Sequence, residues 1–184
     1  MKLSDFSKMK NLKTDVHTMS LNFSQHKDEL ISIIKNDKSW EPTTDGVVYT
    51  NLFTTYRTGW YIHENYSLVK KMCELIDNMI IHKVSQVPIS ISTKECWGGI
   101  YHKEDYAREH HHTPYTWSWC YYVSAPEGSA PMVFPTHEED TKGKEWQIIP
   151  KDDMLIVFPG SKVHSVPKSI IDNPRIVIAG NSSY

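Results

Sequence analysis

The chain has 184 residues, with 20 Lys and Arg against 22 Asp and Glu and a formal net charge of -2, so residues 1–184 are long enough to form a single domain with its own core. Beyond a modest Lys8 to Lys13 stretch it has no dense basic run, which argues against a nucleic-acid surface, because such surfaces need clustered positive charge. Three cysteines without a close-spaced pair (Cys73, Cys96, Cys120), no signal-peptide-like apolar stretch in MKLSDFSKMKNLKTDV, and no run of about 18 apolar residues lead us to expect a reduced, cytoplasmic protein with no membrane partner.

In chain order, residues 15–24 mix β-branched and apolar residues and predict an early strand. HKDELISIIKN sets Leu30, Ile31, Ile33 and Ile34 at helical spacing, predicting a helix near 25–36. A Thr- and aromatic-rich segment with turn signals at Asp45-Gly46 and Gly59 predicts extended chain with a strand at 47–53. Residues 66–84 carry Leu68, Met72, Leu75, Ile76, Met79 and Ile80 as the stripe of an amphipathic helix lying on a sheet. From residue 88 onward the chain becomes a string of short runs: PISIST, CWGGIYH, TWSWCYYV, PMVFP, EWQIIP, DMLIVFP, VHSVP and RIVIAGN. Short strands between turn clusters predict a sandwich or barrel, so helical and extended support over about 1–87 should precede a β core over about 88–184.

His110, His111 and His112 stand just before the strongest strand candidate. In extended chain His110 and His112 share a face while His111 points away, and two imidazoles on one side can grip a metal. A third, His164, opens the penultimate strand candidate and returns to the pair if the sheet rolls up. His17, His26, His63, His82, His102 and His137 lack such a pattern and read as structural or surface side chains, with His102 the nearest to an exception.

Read together, CWGGIYHKEDYAREHHHTPYTWSWCYYVSAPEGSAPMVFP and DDMLIVFPGSKVHSVPKSIIDNPRIVIAGN resemble the 2-oxoglutarate and iron(II) oxygenases of marine bacteriophages and bacteria, over roughly residues 94–182. Trp97 and Tyr101, the His-x-His at 110 and 112, the Ser118 to Tyr122 strand, Ser129-Ala130-Pro131, Phe158-Pro159-Gly160, His164, and Arg175 leading to Asn181 follow in order. The resemblance implies a mainly β protein with N-terminal helices and a double-stranded β-helix (jelly-roll, cupin-like) core. It implies iron(II) on His110, His112 and His164, and 2-oxoglutarate at a site including Arg175, Tyr101, Ser118 and Asn181. The expected reaction consumes O2 and 2-oxoglutarate and hydroxylates a substrate with release of succinate and CO2. Arg175 suits the far carboxylate because a guanidinium offers two parallel hydrogen bonds, and an inward arginine in RIVIAG would be costly without an anion.

One departure accompanies the resemblance. Such sites usually hold two histidines and one carboxylate, whereas the position two after His110 is His112; Asp105, Glu104 or Glu109 could replace one imidazole. Tyr101, Tyr115, Trp117, Trp119, Tyr121 and Tyr122 offer aromatic surface for a pocket, though alternation turns half of them outward. The prime substrate is expected to be a protein side chain or small metabolite rather than a nucleic acid. The rival readings are a three-histidine cupin dioxygenase that does not use 2-oxoglutarate, and a non-catalytic metal-binding jelly roll.

Overall fold

The structure is a computed structural model that describes residues 15–37, 52–53, 56–85, 90–135 and 146–184. The N-terminal part supplies β1 (His17–Ser20), a 3-10 turn at Ser24–His26, α1 (Lys27–Asn36), the short strands β2 (Leu52–Phe53) and β3 (Tyr56–Arg57), α2 (Ile62–Asn65) and α3 (Ser67–Met79). The remainder supplies β4 (Ser92–Tyr101), β5 (Tyr106–His110), β6 (Trp117–Ser124), β7 (Met132–Phe134), β8 (Trp146–Ile148), β9 (Met154–Pro159), β10 (His164–Val166) and β11 (Arg175–Ser183). Only the last two residues of the strand expected at 47–53 lie within the described residues, as β2.

Two antiparallel sheets face each other. The larger runs β1-β9-β6-β11-β4-β3 and the smaller β2-β5-β10-β7-β8. From β4 onward the chain crosses repeatedly between them, which is the winding of a double-stranded β-helix. The runs in β6, β9 and β11 are nearly continuous in apolar residues because these central strands are buried on both faces. Outward, Trp119, Tyr121, Leu155, Val157, Ile176 and Ile178 form one core with the helices; inward, Tyr101, Cys120, Tyr122, Ile156, Phe158 and Val177 form another.

The helices form for the periodic reason expected. In α1, Leu30 and Ile34 are buried, with Asp28 and Glu29 in the first turn and Lys35 in the last, complementing the helix dipole. This helix lies so close to the sheet that a Cβ on Gly98 would meet the Ile34 side chain at 2.6 Å. In α3 the buried face is Val69, Met72, Cys73 and Ile76, and the helix widens into a π turn at Ile80–Val84. Leu75, expected on that face, is exposed instead: the sheet contacts a face centred on Met72 and Ile76, and Leu75 falls outside it. Asp153 fastens β1 to the barrel, accepting hydrogen bonds from the Ser20 hydroxyl, the backbone N–H groups of Asn22 (2.9 Å) and Phe23 (2.8 Å), and the Tyr121 hydroxyl (3.0 Å).

Two strand expectations change. PISIST and CWGGIYH contribute to one long strand, β4, because the whole length pairs with β11. YAREH, absent from the expected strand runs, is β5: exposed Arg108 and Glu109 sit on a strand whose ladder partners are β2 and β10. All three cysteines are buried and unpaired.

Candidate metal and cosubstrate site

The inner face of the larger sheet is organised in cross-strand rows. Glu95, Asn181, Ser118 and Phe158 form one; Trp97, Ala179, Cys120 and Ile156 the next; Gly99, Val177 and Tyr122 a third; Tyr101 and Arg175 the last. Opposite them, the smaller sheet brings His110, the last residue of β5, into register with His164, the first of β10. The two rings lie 4.3 Å apart between centroids, and His112 completes the group at 5.0 Å from His110 and 5.1 Å from His164. One ligating nitrogen from each lies within 4.8 Å of the others, the only such grouping of His, Cys, Asp or Glu among the described residues.

His112 reaches this point by a route the strand argument did not anticipate. It lies beyond β5, in the loop to β6, so alternation along a strand does not pair it with His110. Its backbone N–H donates to the Gly160 carbonyl at 2.6 Å, and the Gly160 N–H donates to the Thr116 carbonyl at 3.0 Å. The loop fits because position 160 lacks a side chain: a Cβ there would come 2.1 Å from the Tyr115 carbonyl oxygen. His111 is exposed, its Nδ1 accepting the Thr113 N–H at 3.2 Å.

The imidazoles are set up as neutral ligands. His110 Nδ1 lies 2.7 Å from the Arg108 carbonyl and His164 Nδ1 lies 3.1 Å from the Lys162 carbonyl. A carbonyl only accepts, so each Nδ1 carries the proton and each Nε2 keeps its lone pair for a metal. Burial pushes the pKa of all three below the ordinary imidazole value, with neighbouring histidines adding to the effect: His112 falls to about 3, and His164 is held well below its usual range. A trio of neutral imidazoles suits a divalent transition metal such as iron(II).

Beside the triad is a cavity whose lining includes Trp97, Tyr101, Tyr122, Met132, Phe158 and Arg175. Arg175 is buried, 4% exposed, on the last inner row. Its Nη1 donates to the Ala130 carbonyl at 2.8 Å, its guanidinium lies 4.5 Å from the Tyr101 ring centre, and its Nε is buried without a hydrogen-bond partner. Burial raises the Tyr101 pKa to about 12, even against the pull of Arg175, so the phenol is neutral. An orphaned guanidinium N–H on the wall of a cavity fits an incoming carboxylate, the group that 2-oxoglutarate presents at its far end.

The other expected residues fare differently. Ser118 and Asn181 are on the inner face but on the outermost row, outside the cavity lining; the Ser118 hydroxyl donates to Asn181 Oδ1 at 2.8 Å, and Asn181 Nδ2 donates to Glu95 at 2.9 Å. Both side chains are buried, and their mutual hydrogen bond ties β6 to β11 beside the cavity. Asp105 accepts the His102 backbone N–H at 2.8 Å, Glu104 pairs with Lys168 at 2.9 Å, and Glu109 is exposed; none joins the histidine group. His102 is exposed and outside the site, and His137 lies outside the described residues. Sequence reasoning missed the Ala130, Arg108 and Lys162 carbonyls, which any residue would supply, and the Gly160 contact, whose signal was the Phe158-Pro159-Gly160 run itself.

Residues 95–181 match the family described as "Putative 2OG-Fe(II) oxygenase". No curated protein matches the chain in sequence. Among solved structures, the viral collagen prolyl hydroxylase of Paramecium bursaria Chlorella virus-1, in its 2OG complex, is similar with a TM-score of 0.66 at 14% identity, over 92% of this chain and 96% of its own. A Pseudomonas putida prolyl-4-hydroxylase gives 0.68 at 12% identity, over 93% of each chain. HygX from Streptomyces hygroscopicus, with nickel and 2-oxoglutarate bound, gives 0.70 at 8% identity, over 100% of this chain and 87% of its own. At these identities the likeness is one of fold.

Proposed function

We propose, from the premise that the chain is a 2OG-Fe(II) oxygenase by its family match, that His110, His112 and His164 hold the iron and that Arg175 anchors the far carboxylate of 2-oxoglutarate. The observation that carries the assignment is the pairing of three converging neutral imidazoles with a buried guanidinium whose Nε has no partner, both on one cavity. When bound, iron(II) supplies the oxidation, in which O2 and 2-oxoglutarate are consumed, succinate and CO2 released, and a substrate C–H becomes C–OH.

The chain's own residues supply position and exclusion. Arg175, held by the Ala130 carbonyl and the Tyr101 face, offers its remaining N–H groups in a fixed direction, so the carboxylate is gripped without ordering a flexible side chain. Tyr101 stays protonated and is available as a hydroxyl donor beside the same carboxylate. Phe158, whose ring lies 4.6 Å from His164, and Phe134, at 6.0 Å, pack beside that ligand and shield its side of the site from water.

The substrate belongs to the class of protein side chains or small metabolites. The fold is compatible with either, since it is shared by prolyl hydroxylases and by HygX, which has been crystallised with hygromycin B. The experiment that tests the reading is succinate release from 2-oxoglutarate by iron-loaded protein, with and without candidate substrates. Iron-loaded protein that neither binds 2-oxoglutarate nor forms succinate would instead favour the three-histidine cupin or binding-module alternative.

A further inference from the structure

Arg57 is not among the residues that line the cavity, yet it is a second arginine on the same face of the larger sheet. It stands opposite Gly99 in the β3–β4 pairing, hence on the inner-face side of the sheet edge. Its guanidinium carbon lies 4.0 Å from the centre of the Trp60 ring, and its Nη1 is buried with no hydrogen-bond partner. Among the described residues no carboxylate pairs with it. Burial draws its pKa below the ordinary value, and the opposing influence is the Tyr101 phenol rather than any acid. Tyr101 feels both guanidiniums, Arg175 the more strongly.

Aromatic rings connect Arg57 to the metal group. Trp60 meets Trp97 edge-on at 4.8 Å between centroids, and Trp97 lies 6.0 Å from His112. A molecule with one end at Arg57 and its body on Trp60 and Trp97 therefore comes alongside the histidine triad. A partly buried guanidinium with an unsatisfied N–H and no counter-charge is costly to maintain, and an anionic ligand removes that cost through two charge-assisted hydrogen bonds. A peptide carbonyl would satisfy an N–H but leave the charge uncompensated, so a free acid fits better than a peptide backbone.

We infer that Arg57 is the specificity-determining anchor for the prime substrate, and that this substrate is a small molecule bearing a carboxylate, packed against Trp60 and Trp97 with its C–H directed to the triad. The inference rests on the oxygenase reading above and assigns Arg57 to the substrate rather than to 2-oxoglutarate.

The test uses full-length protein loaded with Mn(II) and 2-oxoglutarate without oxygen, titrated calorimetrically with the free amino acids, L-proline among them, with their carboxamides, and with a capped proline peptide. At least one free acid should bind, with its amide roughly 10- to 100-fold weaker, as loss of a charge-assisted hydrogen-bond pair requires. Arg57→Gln should weaken the acid by a similar factor, and Arg57→Lys should fall between. In both variants the affinities for Mn(II) and 2-oxoglutarate, measured separately, should match the wild type, which also shows that the fold is intact. The inference is overturned if no acid binds, if acid and amide bind alike, if Arg57→Gln leaves the acid unaffected, or if the capped peptide binds in an Arg57-dependent way and the acids do not. An Arg57→Gln protein that loses 2-oxoglutarate would place Arg57 in the cosubstrate site and equally overturn it. The oxygenase reading fails separately, through a wild type that neither binds 2-oxoglutarate nor forms succinate.

Discussion

His164 stands directly opposite His110 across the β5–β10 pairing, their ring centres 4.3 Å apart. Strand register thus fixes two of the three proposed metal ligands, and only His112 depends on a loop. Removing any of the three should lower Mn(II) or Fe(II) affinity by more than about 100-fold, beyond the loss typical of an outer-shell partner. His111→Ala, altering an exposed ring turned toward Thr113, should leave affinity within a few-fold of wild type. Calorimetric metal titration of the four alanine variants checks this; a His111 variant that loses metal while the His110 variant keeps it would sink the assignment.

Arg175 is the test of the cosubstrate. Arg175→Ala removes the proposed two-pronged, charge-assisted contact and should raise the 2-oxoglutarate concentration needed for half-maximal succinate release by roughly 10- to 100-fold or more. Metal affinity should hardly change, because Arg175 is two rows along the sheet from Trp97, the inner-face residue beside His112, and is not among the three ligands. Arg175→Lys should fall between, since an ammonium keeps the charge but loses the planar fork. Identical 2-oxoglutarate dependence in wild type and Arg175→Ala would put the anchor elsewhere.

Gly160 should behave as a positioning residue for His112. A methyl group at 160 must displace the Tyr115 carbonyl and with it the loop holding His112. Gly160→Ala is expected to cost about 1–3 kcal/mol of stability, the range for overpacking, and to weaken metal binding while the 2-oxoglutarate end of the cavity is unaltered. Thermal unfolding with and without Mn(II) measures both, the diagnostic result being a smaller metal-induced rise in Tm than in wild type.

The triad also predicts acid sensitivity of the metal-free protein. Its histidines are held neutral in the folded state, with pKa values lowered by burial and by one another, while the unfolded chain takes up protons near the ordinary value of 6.5. The unfolded state therefore binds more protons as pH falls below about 6.5, and folding stability drops with it. Metal-free wild type should lose Tm steadily from pH 7 to pH 5, and replacing His164 with Asn should flatten that slope. A slope unchanged by the His164 replacement would show that other groups dominate.

Much of this was legible in the sequence because the decisive residues are chemically distinctive. The buried strands β6, β9 and β11 announce themselves as apolar runs, and the helices by their periodic stripes. The histidines and Arg175 carry their chemistry in their side chains. What could not be read depends on backbone and on approach: β5 is disguised by outward charges at Arg108 and Glu109, and the Ala130 carbonyl that steadies Arg175 has no residue preference. His112 was rightly grouped with His110, but for a reason that does not apply, since a loop clamped at Gly160 and not strand alternation brings it in. Ser118 and Asn181 were read from their place in the motif order, which does not reveal that their side chains bond to each other and to Glu95.

The inner rows of β11 have a consequence for how this cavity can change. Arg175 and Ala179 are two rows apart, about 13 Å at a strand rise of roughly 3.3 Å per residue, and that interval acts as a ruler for whatever lies between the arginine and the histidine end. A strand ruler has coarse marks. Inserting or deleting one residue would turn Arg175 toward the helix side, where Ile176 and Ile178 pack, so the interval can change only in two-residue jumps of about 6.6 Å, far more than a methylene group adds to a dicarboxylate. With Arg175 as the proposed anchor, cosubstrate length is thereby quantised by the sheet, and drift toward a slightly longer or shorter acid has no gradual path through β11.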